Sequence, residues 1–401
     1  MSALVESFMQ SAKPVSQQNV IANQLDMKLL CVALLILCIG LVMVESASIT
    51  TADRTLESPF YYLKRQLISA CIGLGAAYFI TKIRLLYWEK SGLLLLGMAM
   101  ILLLVVLIPG VGKTVNGSMR WIPVGLFNLQ VSEVAKLFLL IYTAGYLVRH
   151  GSEVQQTLWG FLKPMLLVSL ACLLLLLEPD FGATVVVMLT VMGMMYLGGV
   201  RFTQFSALIV SFAAAASLIV IISPYRMQRL TAFVNPWADP FDSGFQLTQS
   251  LIAIGRGSWS GTGLGGSVQK LFYLPEAHTD FIFAVYAEET GLIGVCLLIF
   301  LFTMLVYRAF MNGREAEKLG NRFAAFTAYG IGIWLGLQAF INIGVNMGVL
   351  PTKGLTLPLM SYGGSSLIVN CVAIGLLLRI SIENAQYGKQ ALNRSKAGST
   401  V

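Results

Sequence analysis

The ionisable residues best placed to do chemistry lie in one stretch, PEAHTDFIFAVYAEETG, from Pro275 to Gly291. It sets Glu276, His278, Asp280, Glu288 and Glu289 close together in a chain that is only 11% charged. An ionisable group held in hydrocarbon costs roughly 2.5–3.5 kcal/mol on insertion scales, so a cluster kept at its edge calls for a chemical reason. Zinc catalysis needs more ligands in reach, and the only other histidine, His150, falls on the other side of the predicted membrane. A Ser-His-Asp triad lacks a serine in a nucleophile-elbow context. A lone carboxylate acting as general base fits better, and Asp280 is the candidate. Partial desolvation would raise its basicity, and such a base contributes roughly 10²–10⁴-fold.

Other groups each carry a chemical reading and a bland one. Glu133 and Lys136, in NLQVSEVAKLFLLIYTAGYL, are spaced to share one face of an otherwise apolar helix and so should face the bundle interior. A packing ion pair and a functional pair both remain open there. Asp180 follows Glu178-Pro179 and suits a helix N-cap before Phe181-Gly182-Ala183. Arg226 and Arg229, in SPYRMQRL, could hold a phosphate diester or pyrophosphate, although interfacial snorkelling is the simpler account. Gly261 to Gly266 spells GxGxxG, but no strand precedes it, which excludes a dinucleotide site. Those glycines instead let backbone approach a ligand or another loop. The segment NMGVLPTKGLTLPLMSYGGSS, from Asn346 to Ser366, carries a single charge, Lys353. Its Pro and Gly density breaks a helix, so it should fold back into the protein and line a cavity.

The elements that must position these residues are membrane helices. The chain has 401 residues, 57% of them hydrophobic, with mean hydropathy +0.77. Runs of roughly 20 apolar residues recur along it, which predicts an all-α polytopic membrane protein. Ten spans are expected at about 27–45, 65–81, 91–109, 131–148, 161–178, 181–200, 204–222, 282–306, 323–346 and 363–380. Residues 1–26 read as a disordered cytoplasmic tail, 27–380 as one ten-helix membrane domain and 381–401 as a second cytoplasmic tail. The first span reads as a retained anchor, with no cleavage site behind it. Between spans seven and eight lies one large extracytoplasmic loop, 223–281, and a loop of that size is usually functional.

Lysine and arginine placement sets the orientation. With ten spans both termini share a side, and that side holds Lys82, Arg84, Lys90, Arg149, Lys163, Arg201, Arg308, Arg314, Lys318 and Arg322. It is therefore expected to be cytoplasmic, with Asp280 at the outer interface. The net charge of +8 belongs to this bias, since the basic residues are scattered among loops, and no nucleic acid partner is expected. The six cysteines all sit in apolar segments without paired spacing and read as buried small hydrophobes. No tandem or inverted repeat is evident, which argues against a secondary transporter.

Taken together, QVSEVAK, EPDFGATVVV, NPWADPFDSGFQLTQSLIAIGRGSWSGTGLGGSVQKLFYLPEAHTDFIFAVYAEETG and LPTKGLTLPLMSYGGSS resemble the SEDS family (shape, elongation, division and sporulation proteins). These are membrane glycosyltransferases that polymerise peptidoglycan, and the resemblance covers essentially the whole membrane region. The QK before LFYLPEAHTDF and the PTKG before LTLPLMSYGGSS are similar to the division type; an elongation-type polymerase is the alternative within the family. The resemblance implies that Asp280 is the essential catalytic aspartate. It also implies that Glu133 and Lys136 belong to a central cavity, and that Lys353 is functionally sensitive. The family usually reads Gln-Pro-Asp where this chain has Glu178-Pro179-Asp180, so only Asp180 is carried over.

On that reading the substrate is lipid II and the nascent glycan strand. Asp280 deprotonates the acceptor hydroxyl, and Lys136, Lys353, Arg226 and Arg229 are candidate cations for the pyrophosphate. Asp180, Glu133 and His278 line the substrate path. No cofactor is required; a divalent cation (Mg or Mn) is an option. The implied partners are a class B penicillin-binding protein transpeptidase (FtsI-like) and divisome regulators of the FtsQ-FtsL-FtsB kind, in the bacterial inner membrane at the division septum. Two rivals from other classes are a lipid II flippase, which needs no outward base, and a non-enzymatic divisome scaffold.

Overall fold

Each of the ten apolar segments forms a helix in the computed structural model, which describes residues 25–115, 118–125, 127–222, 227, 231–242, 244–351 and 354–398. The helices in chain order are α1 (Met27–Leu56), α2 (Tyr61–Lys82), the short α3 (Leu85–Lys90) and α4 (Gly92–Val106). After a small sheet come α5 (Val131–Gln156), α6 (Leu158–Leu177), α7 (Phe181–Leu197) and α8 (Phe202–Ile222). The rest are α9 (Phe245–Gly257), α10 (Ile282–Lys318), α11 (Arg322–Asn346) and α12 (Gly364–Gly398). Among the described residues, α1, α5, α6, α10, α11 and α12 are long and apolar enough to cross a membrane, while α4, α7 and the first part of α8 are shorter apolar helices. With α2, whose first turns carry Lys64, Arg65 and Gln66, they make the multi-pass bundle expected of such a sequence.

Several ends differ from the expected ones. α1 runs on to Leu56 rather than stopping near 45, and Ser46, inside the added turns, bonds to Glu289 of α10. α12 continues past 380, because the side chains beyond that point have partners. Ser381 accepts from the Asp26 N–H, Glu383 pairs with Arg379, and Asn384 donates to the Asn312 carbonyl. Two elements were not expected at all. Strands β1 (Lys113–Val115), β2 (Ser118–Val124) and β3 (Phe127–Gln130) form an antiparallel sheet in the order β1-β2-β3, just before α5. Within the 223–281 connection, α9 is an amphipathic helix that buries Leu247, Ser250 and Ala253.

The core sits around α5, α11 and α12. Small residues allow the closest approaches, as expected where apolar helices associate without a hydrophobic drive. A Cβ on Gly375 of α12 would lie 2.8 Å from the Ala77 backbone of α2, and one on Gly73 would lie 2.9 Å from Cys371 Sγ. The segment after α11 does fold back into the bundle. Leu355, Leu357, Leu359 and Met360 are buried, and a Cβ on Gly40 of α1 would come within 2.6 Å of Met360 Cα.

Candidate functional site

Asp280 stands two residues before α10, half-buried, with its backbone carbonyl gripped by two side chains of α11. Asn342 Nδ2 donates to that carbonyl at 2.9 Å and Asn346 Nδ2 at 3.1 Å. A carboxylate at this position benefits from the positive end of the α10 dipole. The carboxylate lies against the folded-in segment, so closely that a Cβ on Gly354 would come within 2.9 Å of Oδ2. Gly354 is the chain neighbour of Lys353, which lies outside the described residues, as do Arg226 and Arg229.

His278 belongs to the same corner. Its ring centroid is 4.5 Å from that of Tyr62 and 5.6 Å from that of Tyr362, and its carbonyl accepts the Tyr362 N–H at 2.9 Å. Burial holds its pKa below the usual 6.5, against a smaller opposing pull from Glu276, so the imidazole is neutral at pH 7. Glu276 is exposed and bonds to the Thr279 hydroxyl at 2.8 Å.

Glu133 and Lys136 do face the interior. They are 3% and 4% exposed, and Lys136 Nζ lies 2.8 Å from Glu133 Oε1 and 2.8 Å from Gln338 Oε1. It also sits 5.3 Å from the centroid of Trp334. The adjoining cavity, between Lys136, Leu140, Val187, Thr190 and Trp334, has room for about one water molecule at most. In this state the ammonium is committed to its neighbours.

Asp180 caps α7, Oδ1 accepting the Ala183 N–H at 3.1 Å, and Arg120 from β2 stands 3.9 Å from the same oxygen. Arg120 also donates to the carbonyls of Glu178 and Pro179. Glu178 is fully buried, and neither of its carboxyl oxygens has a hydrogen-bond partner among the described residues. The start of α7 touches the same folded-in segment, because a Cβ on Gly182 would meet Leu355 Cγ at 2.9 Å.

Segment 354–356 is thus where the expected site residues converge. Gly354 meets Asp280, Leu355 meets the helix that Asp180 caps, and the Thr356 carbonyl accepts from Gln338 at 2.9 Å, two bonds from the Lys136–Glu133 pair. Sequence reasoning missed Arg120, Gln338, Asn342 and Asn346. For the last three the available signal was their interval of four in WLGLQAFINIGVN.

Glu288 and Glu289, the remainder of the acidic cluster, turn away from this corner to anchor the long connection. Glu289 pairs with Lys270 at 2.8 Å and accepts from Ser46 at 2.6 Å. Glu288 accepts the Ser267 hydroxyl and the Val268 N–H, with Arg256 3.5 Å away. Gly261, at φ +78°, sits where any side chain would collide with the Glu289 carbonyl, so this first glycine of the run serves backbone approach. Among the described residues no group of three or more His, Cys, Asp or Glu is placed to hold a metal.

Helices of this kind, closed around a buried ion pair and carrying a carboxylate at one helix start, define a polytopic membrane protein with a polar site built at one end of the bundle. The chain belongs to the cell cycle protein family that groups FtsW, RodA and SpoVE, which it matches over residues 26–386. It is 58% identical over 378 residues to a probable peptidoglycan glycosyltransferase FtsW of Thioalkalivibrio sulfidiphilus (strain HL-EbGR7), covering 94% of each chain. Among solved structures it resembles a chain from work on the structural coordination of polymerization and crosslinking by a peptidoglycan synthase complex. The TM-score is 0.72 at 30% identity, over 90% of this chain and 98% of that one. It also resembles the rod shape determining protein RodA of Thermus thermophilus, with TM-score 0.67 at 28% identity, over 89% and 96%.

Proposed function

We propose that this chain is the division-type peptidoglycan glycosyltransferase of its cell, with Asp280 as the general base. The acceptor is the 4-hydroxyl of a lipid II GlcNAc. As its oxygen attacks the anomeric carbon of the MurNAc at the reducing end of the growing strand, the proton passes to Asp280. The bond from that carbon to the pyrophosphate oxygen breaks, and undecaprenyl pyrophosphate leaves with the electron pair. A single displacement inverts the anomeric centre and gives a β-1,4 link. The observation that carries this reading is the placement of Asp280: a half-buried carboxylate at a helix start, pressed against Gly354 in a segment folded into the protein.

Charge on the leaving group needs cations fixed in advance. Lys353, Arg226 and Arg229 take that part, with Lys136 supplying a fixed positive charge from its buried pair. The transfer is written without a resident cofactor, and a divalent cation would arrive with the pyrophosphate. The Asp280 end faces outward and both termini are cytoplasmic, by the distribution of lysine and arginine. The protein works at the septal inner membrane with a class B penicillin-binding protein, under divisome regulators. Labelled lipid II in sealed vesicles separates this from the flippase reading. The enzyme consumes the label into polymer, and Asp280→Asn stops it; movement of label across the bilayer without polymer, undiminished in Asp280→Asn, would replace the reading with transport.

A further inference from the structure

Trp334, Gln338, Asn342 and Asn346 recur every four residues along α11 and so share one face. All four are at most 2% exposed. A buried amide in an apolar bundle must find partners or cost stability, and the partners found here are specific. Asn342 Nδ2 spends both of its hydrogens on carbonyls, one of Asp280 and one of Leu355, while its Oδ1 has no partner among the described residues. The use of that side chain is therefore its pair of donors, which tie the entry of α10 to the folded-in segment.

Asn346 works differently. Its Nδ2 donates to the Asp280 carbonyl and, at 2.9 Å, to the Asn342 carbonyl, while its Oδ1 accepts the Ala284 N–H at 3.2 Å. That N–H also bonds to the Phe281 carbonyl, at 3.0 Å, so the two acceptors share it in the first turn of α10. The N-cap residue of α10, Phe281, makes no side-chain cap bond. Asn346 thus adds a second acceptor to the first turn of α10 from another helix while holding the residue just outside it. Below, Gln338 Nε2 grips the Thr356 carbonyl, and its Oε1 accepts from Lys136 and, at 2.9 Å, from Trp334 Nε1.

We propose that Asn342 and Asn346 are positioning residues for glycosyl transfer: they fix the backbone of Asp280 against segment 354–356 and so set where its carboxylate meets the acceptor hydroxyl. The inference rests on Asp280 being the base. Misplacing a reacting group by about 1 Å costs on the order of 100-fold in rate.

Two variants in proteoliposomes test it, assayed for lipid II polymerisation with the transpeptidase present. Asn346→Asp keeps an oxygen for the Ala284 N–H but loses both donated bonds. Asn342→Leu keeps approximate shape and loses both donors. Both variants should lose about 10–100-fold in kcat per folded protein with KM changed by less than about twofold, the melting temperature of each giving the folded fraction. Wild-type kcat per folded protein, or a raised KM with kcat intact, would overturn the inference. Asp280→Asn runs alongside. If it is dead while the asparagine variants are normal, only the positioning inference fails; if it polymerises at the wild-type rate, the base assignment fails and this inference with it.

Discussion

His278, packed between Tyr62 and Tyr362, shows what burial does to a titrating group beside the proposed base. Its folded pKa lies below the usual 6.5. Above that value the ring is neutral in both states; as pH falls through it, the unfolded chain binds the proton first, so the fold loses stability on acidification. The melting temperature of the wild type should fall between about pH 7 and about pH 5, and that of His278→Phe should fall less. Equal pH dependence in the two proteins would show that the ring is solvated. The Lys136–Glu133 pair makes a second residue-scale prediction. Removing one partner of a buried pair typically costs about 3–5 kcal/mol, because the other charge is left uncompensated. Lys136→Met should therefore be strongly destabilised, and the double variant Lys136→Met/Glu133→Gln should recover much of the loss in a denaturation assay. Additive losses would mean that the two groups do not interact. Asp280 and this pair were legible in the sequence because charges stand out in an apolar chain. Asn342 and Asn346 were not, because their four-residue interval marks a shared polar face without saying which carbonyls it holds, and only their contacts reveal their use.

At the scale of elements, the membrane made the helices readable, since a spanning backbone must satisfy its own hydrogen bonds and a helix does so within one segment. Helix ends were harder to place. α1 passes Ser46 and α12 passes Arg379 because those polar residues bond to partners distant in sequence, Glu289 and the Thr81 carbonyl. The sheet before α5 consists of strands of three, seven and four residues, too short for alternation to show. α9 carried a helical period in FQLTQSLIAIGRG that a reading focused on long apolar runs passes over. The clamp between the long connection and α10 is testable by itself. Lys270→Ala leaves Glu289 without its ion-pair partner, and Gly261→Val drives a side chain into the Glu289 carbonyl. Both variants should expose residues 258–274 to limited proteolysis at least several-fold faster than wild type. An unchanged cleavage pattern would show that the connection is held by other contacts.

For the whole molecule, α7, the entry of α10 and α11 contribute residues far apart in sequence that meet at 354–356, and α2 reaches the neighbouring His278 through Tyr62. Sequence motifs located most of these parts; their convergence is a property of the packing and could not be read from spacing. The central claim is that Asp280 takes the acceptor proton in strand polymerisation. The most direct test reconstitutes wild-type protein and Asp280→Asn at matched levels with the cognate class B transpeptidase and supplies lipid II, with a chelator control in parallel. Glycan product and undecaprenyl pyrophosphate release are then followed together. Wild type should make both, and Asp280→Asn should make neither while remaining inserted and bound to its partner. Polymer and pyrophosphate release from Asp280→Asn at the wild-type rate would contradict the account.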